Sequence, residues 1–228
     1  MPRSGSPRSP SRATPSRGRP RQVRPDDVVD AALAGGLTHL TLTGVAERLG
    51  VGTATVYRSV PGIDDLRTRV LSRLIAEAPW PTKSGGWQLY LEQLGLAVAH
   101  VLTAHPGVAE FCESVAFENP DLLRRFGEAA ETLETEGFSM RDAIIVVDLI
   151  MHMSFDTMRS AASPPPSLSD AEQRLSRGHA LSHHLPPSVA RHAIAVAEGW
   201  RSDEALRHKL RIAIAGVQQV YGDALRGG

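Results

Sequence analysis

The chain has 228 residues, long enough for one or two domains with a full core, and its 25 basic and 25 acidic side chains balance to a formal net charge of zero. Its single cysteine, Cys112, excludes an internal disulfide and fits a reducing compartment. No apolar run approaches the roughly 18 residues of a membrane span, and no apolar stretch follows the basic N-terminus as it would in a secretory signal. We therefore expect a cytoplasmic protein with no membrane partner.

The balanced net charge hides a strongly basic N-terminus. Residues 1–24 hold seven of the 25 basic side chains and no acidic one, so the rest of the chain carries a net charge of −7. This segment lacks the apolar side chains that would offset the entropy cost of ordering, and we predict a disordered arginine-rich arm. Arg21 and Arg24 lie nearest to the first predicted helix and are candidates for contact with an anionic partner. The alternative is a solvated tail.

Helical patterns begin directly after this arm. Pro25 suits the first turn of a helix, which is predicted over residues 25–34. Thr41 can cap a second helix, whose apolar residues recur at helical spacing, and Gly50 can end it in the left-handed conformation. A third helix is predicted over residues 53–59. Two helices joined by a short glycine turn form a helix-turn-helix, whose second helix can enter the major groove of DNA.

A fourth helix, predicted from about Asp64 to Ala78, closes this first domain. Proline cannot continue a helix, so the segment Pro79-Trp80-Pro81 should end it. Residues 83–86 then form a linker rich in small side chains. We place a DNA-binding domain at residues 25–80 and a second domain at residues 87–228.

The second domain is predicted to be helical throughout, with no strand pattern. Apolar residues at helical spacing indicate helices over residues 87–104, 108–117, 121–136, 139–161 and 202–225. A loop-rich insertion at 162–187 can hold a short helix over 169–182, and another short helix can follow at 188–200. The helix from Ser139 is apolar on nearly every side and should have more than one neighbour. The fold class is therefore all-α.

Small and polar side chains of the helix-turn-helix are candidates for DNA contact. Arg58 can grip guanine or a phosphate with two hydrogen bonds, and Ala54 can contact thymine methyl groups. Tyr57 is expected to donate its hydroxyl to a phosphate with its ring half in the core, and Val56 belongs to the core. The full set predicted to bind DNA is Thr43, Thr53, Ala54, Thr55, Tyr57, Arg58, Arg21 and Arg24.

The segment from Leu40 to Leu66 resembles the DNA-binding domain of the tetracycline-repressor (TetR) family of bacterial transcription factors. The matching positions are Leu40-Thr41, Val45-Ala46, Leu49-Gly50-Val51, Thr55-Val56-Tyr57 and Asp65-Leu66. The chain departs from that pattern where Ile63 replaces a phosphate-binding lysine, where Ser59-Val60 replaces a histidine-aromatic pair, and where the first helix lacks about one turn. We expect weaker phosphate anchoring at Ile63, offset by Arg58 or by the arm.

The resemblance implies a homodimer that binds a palindromic double-stranded DNA operator as a regulator, most often a repressor. In that case the helix from Ser139 and the last helix would pack against their two-fold copies, since both carry more apolar surface than one subunit can easily cover. The alternative is that one of them is simply the centre of the domain core. The residues assigned to the dimer interface are Ile144, Val147, Met151, Leu206, Leu210, Ile214, Val217 and Tyr221.

The resemblance also implies a small-molecule effector that binds between helices of the second domain and releases the DNA. Such a site should be mostly apolar with a few polar groups, and the methionine and phenylalanine content favours an apolar or aromatic effector. Taken singly, each candidate side chain is more often plain core than a ligand contact. The candidates are Trp87, Tyr90, Phe111, Phe117, Phe126, Met151, His152, Phe155 and Met158.

Other functions receive less support from the residues. His179, His183 and His184 lie close together, and His179 and His183 have the spacing of a metal pair on a helix, but a solvated loop is the preferred interpretation. The chain has no glycine-rich phosphate loop, no G-x-S-x-G and no H-E-x-x-H motif. We therefore expect no enzyme activity, metal or cofactor. The second hypothesis is a helical small-molecule sensor or partner-binding protein with a weakened DNA-binding domain.

Overall fold

The computed structural model of the chain describes residues 23–83, 85–162, 185–190 and 203–222. Within those ranges the regular elements are helices and no strand occurs, so the predicted fold class is confirmed. The helices are α1 (Pro25–Gly35), α2 (Leu42–Leu49), α3 (Thr53–Ser59), α4 (Ile63–Glu77), α5 (Trp87–Ala104), α6 (Val108–Val115), α7 (Pro120–Thr135), α8 (Met140–Ala162) and α9 (Asp203–Tyr221). Residues 187–190 are also helical.

Several predicted features lie outside the described residues. They are Arg21 with the arm before Val23, the helix over 169–182, and His179, His183 and His184. The helix expected at 188–200 is described only as far as residue 190.

Local signals set the ends of the first helices as predicted. Thr41 caps α2, and its Oγ1 accepts a hydrogen bond from the Gly44 amide at 3.1 Å. Gly50 ends α2 with φ 65°, the left-handed conformation that glycine adopts without strain. At the start of α1, the Arg24 amide donates to the carboxylate of Asp27 at 2.9 Å. The sequence therefore dictates the turn that orients α3.

A small apolar core holds α3 in place. Val56 and Val60 are fully buried, together with Val28 of α1 and Leu66 of α4. Val56 points inward as predicted, so the opposite side of α3 faces solvent. The four helices thus form one unit with α3 on its surface.

A side chain from α2 forms a hydrogen bond near the carboxyl end of the short first helix. The guanidinium of Arg48 donates from Nη1 to the carbonyl of Ala31 at 3.3 Å, near the carboxyl end of α1. A side chain at Gly35 would collide with this guanidinium. Arg48 thereby adds a hydrogen bond to a carbonyl near the end of a helix that has no basic residue in its own last turn.

In the second domain, α8 packs against α5, α7 and α9, which confirms the expectation of several neighbours. Gly95 of α5 allows close approach, because a Cβ there would lie 2.6 Å from Leu210 of α9 and 2.7 Å from Ser154 of α8. At the start of α5, Trp87 meets Phe138 edge-on with ring centroids 5.3 Å apart. These contacts bring α5, α8 and α9 into one core.

The helix predicted over 108–117 is shorter than expected. It ends at Val115 and is followed by a 3-10 turn, Ala116–Glu118. Asn119 then takes an extended conformation with φ −78° and ψ 115°, as the residue before a proline usually does, and Pro120 begins α7.

The structure corrects part of the predicted dimer interface. Val147, Leu206 and Leu210 have no exposed surface and Val217 is 5% exposed, so these four side chains fill the core of one protomer. Tyr221 packs against Phe138 of the same chain with ring centroids 5.7 Å apart. Periodicity alone identified apolar positions but did not distinguish an inward from an outward face on a helix that is apolar nearly all round. Met151 and Ile214 are half-buried, and Ile144 is exposed.

Candidate nucleic-acid interface and effector site

The outward side of α3 carries most of the residues predicted to bind DNA. Ala54 and Arg58 are exposed, Tyr57 is 52% exposed, and Thr53 and Thr55 are half-buried. The guanidinium of Arg58 donates from Nη2 to Thr55 Oγ1 at 2.9 Å, which orients it along the helix. Thr43 on α2 is also exposed. The structure thus groups small side chains, a phenol and one oriented cation on a single helix.

A hydrogen bond that the sequence did not predict holds the N-terminal segment against α3. Ser59 Oγ donates to the carbonyl of Val23 at 2.6 Å, and Val23 is itself buried in the domain core. Arg24 follows, exposed, with its guanidinium 2.9 Å from Asp27. The chain therefore enters the domain beside the carboxyl end of α3. The two bonded residues are 36 positions apart, so no local pattern could reveal the contact.

Both aspartates in the first turn of α4 are paired with arginines. Asp64 pairs with Arg67 at 2.9 Å and Asp65 pairs with Arg69 at 2.6 Å, both within the helix. These pairs reduce the repulsion that two free carboxylates would exert on a phosphate. Ile63, where the resemblance expects a lysine, begins the helix after Gly62.

Two of the predicted effector residues lie together at the start of α5. Trp87 and Tyr90 are both buried and line a cavity of about 230 Å³ between α5, the preceding linker and the end of α7. Burial raises the pKa of the Tyr90 hydroxyl, while a hydrogen bond with Thr132 acts in the opposite direction. The cavity is lined by Lys83, Gly85, Gly86, Trp87, Tyr90, Thr132 and Glu136.

The other effector candidates do not line this cavity. Phe126, Met151 and Phe155 are half-buried and pack against the core, and Met158 is buried. His152 is instead an exposed residue of α8, with its Nε2 3.9 Å from the carboxylate of Asp156. The side chains of Phe111 and Phe117 lie outside the described part of the structure.

Large apolar side chains remain exposed on α8 and α9. On α8 they include Ile145 and Leu149, which are four residues apart and 48% and 45% exposed. On α9 they are Ile212 and Val220, at 62% and 71%. We call these four residues the outer face. None of these four residues was in the predicted interface, although Ile144, which precedes Ile145 and is also exposed, was.

Residues 23–83, 85–162, 185–190 and 203–222 contain no group of three or more histidine, cysteine or acidic side chains placed to hold a metal. No helix in the same ranges is long and apolar enough to cross a membrane.

The arrangement of helices has counterparts among solved structures. Apo ActR from Streptomyces coelicolor superimposes with a TM-score of 0.70 at 20% identity, over 90% of this chain and 99% of that one. TetR Q116A from Acinetobacter baumannii AYE, in complex with minocycline, gives a TM-score of 0.59 at 20% identity, over 85% and 95% of the two chains. The chain has the TetR-family fold.

Further comparisons agree with this fold. ActR, described as a TetR family protein and bound to actinorhodin, gives a TM-score of 0.69 at 21% identity, over 88% of this chain and 96% of that one. The HTH-type transcriptional repressor DrrR1 of Streptomyces coeruleorubidus is 30% identical over 132 residues, which are 54% of this chain. The chain thus spans about half the length of this curated relative, 49%. No protein-family model matches the chain.

Proposed function

We propose that the protein is a ligand-responsive transcriptional repressor that binds a palindromic operator as a homodimer and is released by a small-molecule effector. The observation that carries the proposal is the outward face of α3, where Ala54, Tyr57 and Arg58 are exposed on a helix-turn-helix. The partial likeness to a transcriptional repressor and the TetR-family fold support the same role.

DNA contact is proposed to combine base reading by α3 with phosphate contacts by neighbouring groups. Arg58 would grip a guanine edge, and Ala54 with the methyl groups of Thr53 and Thr55 would meet thymine methyl groups. The Tyr57 hydroxyl and Thr43 would bind phosphates, which fixes the register of the helix in the groove. Arg24 would contribute a further phosphate contact.

The arm is proposed to supply the charge that Ile63 does not. The hydrogen bond from Ser59 to Val23 brings the arm's point of attachment next to α3, which supports this role. Six of the arm's seven arginines, Arg21 among them, precede Val23. Each phosphate that such a residue neutralises makes the slope of log affinity against log salt more negative by about 0.9.

Ser59→Ala should weaken operator binding about threefold to tenfold in the full-length protein, because a side-chain hydrogen bond contributes about 1 kcal/mol and here fixes the arm's attachment. The same substitution should have little effect once residues 1–20 are removed. Fluorescence anisotropy with a labelled operator measures both. Ser139→Ala is the matched control, since that hydroxyl caps the distant α8. An equal loss in both lengths of chain would mean that Ser59 acts on α3 and not through the arm.

Dimerisation is proposed to use the outer face of α8 and α9. Its four large apolar side chains are exposed to water, and a second copy of the chain would bury them. In a two-fold symmetric dimer both copies contribute the same four side chains to the interface. The predicted neighbour Ile144 is 44% exposed and fits the same face. Half-buried Met151 and Ile214 can add contacts at its border.

Effector binding is proposed at the cavity that Trp87 and Tyr90 line, extending toward Phe126, Met151 and Phe155. The cavity holds only about 230 Å³ and drug-sized sites usually need about 300 Å³ or more, so binding would require the helices to part. An apolar or aromatic compound fits these side chains. Actinorhodin and minocycline, which are bound to ActR and to TetR Q116A, are reasonable first probes.

The test of the whole proposal is selection of a DNA duplex by the purified protein from random sequence and from the DNA upstream of its own gene. We expect a palindromic site that binds two chains with a steep salt dependence, because each half-site would meet one α3. A protein that shows no sequence preference at moderate salt would contradict the proposal.

The second candidate, a helical sensor with a weakened DNA-binding domain, is favoured by one observation. Ile63 stands where a phosphate-binding lysine is expected, and Asp64 beside it has its charge committed to Arg67. DNA binding that is independent of sequence and disappears when residues 1–20 are removed would favour this candidate over a repressor.

A further inference from the structure

The side chain of Asn119 links the two domains. It has no exposed surface, and its Oδ1 accepts hydrogen bonds from the amides of Asp121 and Leu122, both at 3.0 Å, which caps α7. Its Nδ2 donates to the carbonyl of Thr68 at 3.2 Å and to Ser72 Oγ at 3.1 Å, both in α4. One buried side chain therefore holds the start of α7, in the second domain, to α4, the last helix of the first domain.

The amide of Asn119 uses its full hydrogen-bonding capacity in this position. A carboxamide has two lone pairs on oxygen and two N–H groups, and the four partners account for all of them. The partners also fix its orientation, because the amides of α7 can bond only to its oxygen and the carbonyl of Thr68 only to its nitrogen. Separating α4 from α7 would leave part of this buried group unpaired, which is unfavourable.

Ser72 also interacts with the first turn of α7. Its hydroxyl, which accepts from Asn119, interacts with the carboxylate of Asp121, and this interaction together with Arg124 lowers the pKa of Asp121. Arg124 lies 2.7 Å from the same carboxylate. Ser72 of α4 is thus held by two residues from the first turn of α7. We call Asn119, Ser72 and Asp121, with the Thr68 carbonyl, the interdomain clasp.

The position of the clasp lies between the two proposed sites. Asn119 follows the 3-10 turn at the end of α6 and begins α7, whose far end at Thr132 and Glu136 lines the cavity. On the other side, α4 begins directly after α3 and Gly62. A displacement of α7 must therefore carry α4 with it or break a fully satisfied buried network.

We propose that Asn119 is a positioning residue that transmits displacement of α7 into α4, and so couples the effector domain to the orientation of α3 on DNA. The inference rests on the proposed operator binding. The coupling is assigned to the side chain of Asn119 and to the hydrogen bonds that it donates to Thr68 and Ser72 of α4.

Asn119→Asp tests the donor bonds without removing the cap. Aspartate caps helices as well as asparagine does, and its carboxyl group lacks the two N–H groups that donate to Thr68 and Ser72. The readout is hydrogen exchange of the full-length protein with and without a DNA duplex selected by the wild-type chain. Peptides over α2–α3 report DNA contact, and peptides over residues 119–126 report the clasp.

In the wild-type protein we expect the duplex to slow exchange in both segments. In Asn119→Asp the protection of α2–α3 should persist, the protection of residues 119–126 should be lost, and operator affinity should fall about fivefold or more, the size of a typical coupling between sites. Retention of wild-type protection at residues 119–126 would overturn the proposal. If the wild-type protein selects no duplex, the operator proposal fails first and this one with it.

Two further variants separate coupling from stability. Ser72→Ala removes the hydroxyl between Asn119 and Asp121, and alanine at this position favours the α4 helix. This variant should lose part of the protection of residues 119–126. Val146→Ala opens a cavity in the core of α8 away from the clasp and lowers stability without touching α4. Loss of the DNA-dependent protection in Val146→Ala as well would show that the readout follows stability alone, which also overturns the proposal.

Discussion

Leu149→Glu should convert the proposed homodimer to a monomer and abolish the proposed tight binding to the operator. Leu149 is 45% exposed on α8, next to the 48% exposed Ile145, and a two-fold interface would bury each copy. Burying a fully exposed leucine is favourable by about 2 kcal/mol, and Leu149 has 45% of its surface left to bury, so loss at both copies corresponds to a rise in the dimer dissociation constant of about thirtyfold. Burial of two carboxylates would add to that loss.

The measurement is light scattering or sedimentation velocity across a range of protein concentrations, followed by operator titration. Operator affinity should fall together with dimerisation, because a monomer engages only one half-site. Leu123→Glu is the matched control: this leucine is 54% exposed, lies on α7 and is not part of the outer face. It should leave both properties unchanged. A Leu149→Glu protein that remains dimeric would remove the outer face from the interface.

Apolar spacing could not predict that Leu149 is one of the exposed residues of α8. Apolar spacing predicted that the long helix from Ser139 and the last helix would both be well packed, and they are. It placed Val147, Leu206 and Leu210 at a dimer interface, whereas they are fully buried within one chain. On a helix that is apolar on nearly all sides, only the positions of α5, α7 and α9 decide which side remains exposed.

Features set by neighbouring residues were predicted well. The cap at Thr41, the left-handed turn at Gly50 and the limits of α3 and α5 depend on a few adjacent positions, and the structure has them as expected. The cap at Asn119 was not predicted, although asparagine before a proline at the first helical position is a local signal of a helix start.

Contacts between distant positions could not be predicted in this way. Ser59 meets Val23 across 36 positions and Asn119 meets Thr68 across 51 positions, and neither pair follows a repeating pattern. Ser59 stood out in the sequence only as a departure from the residues that the family resemblance led us to expect. The structure gives that departure a specific contact, and thereby gives the arm a defined point of attachment beside α3.

Replacing Arg58 with alanine should reduce specific operator affinity about 10- to 100-fold while non-specific binding falls only about two- to threefold. A bidentate contact between arginine and a base edge contributes about 1–3 kcal/mol of discrimination, and a single phosphate contact changes the salt slope by only about one. The hydrogen bond from Arg58 to Thr55 at 2.9 Å keeps the guanidinium on the outward side of α3 in the free protein. The Arg58 side chain therefore loses less conformational entropy when DNA binds, because the hydrogen bond already restricts it in the free protein.

Lysine at the same position distinguishes the two roles that Arg58 can play. Arg58→Lys keeps the charge but lacks the planar fork, so it should resemble Arg58→Ala if the side chain reads a base and resemble the wild-type protein if it binds a phosphate. Arg207→Ala controls for loss of a positive charge elsewhere, since Arg207 is exposed on α9 and pairs with Glu92 at 3.2 Å. Anisotropy titrations with the selected operator and with a scrambled duplex, each at several salt concentrations, give the ratio of specific to non-specific affinity. An equal loss on both duplexes would assign Arg58 to the phosphates, and base reading by α3 would then rest on Ala54 and the threonine methyl groups.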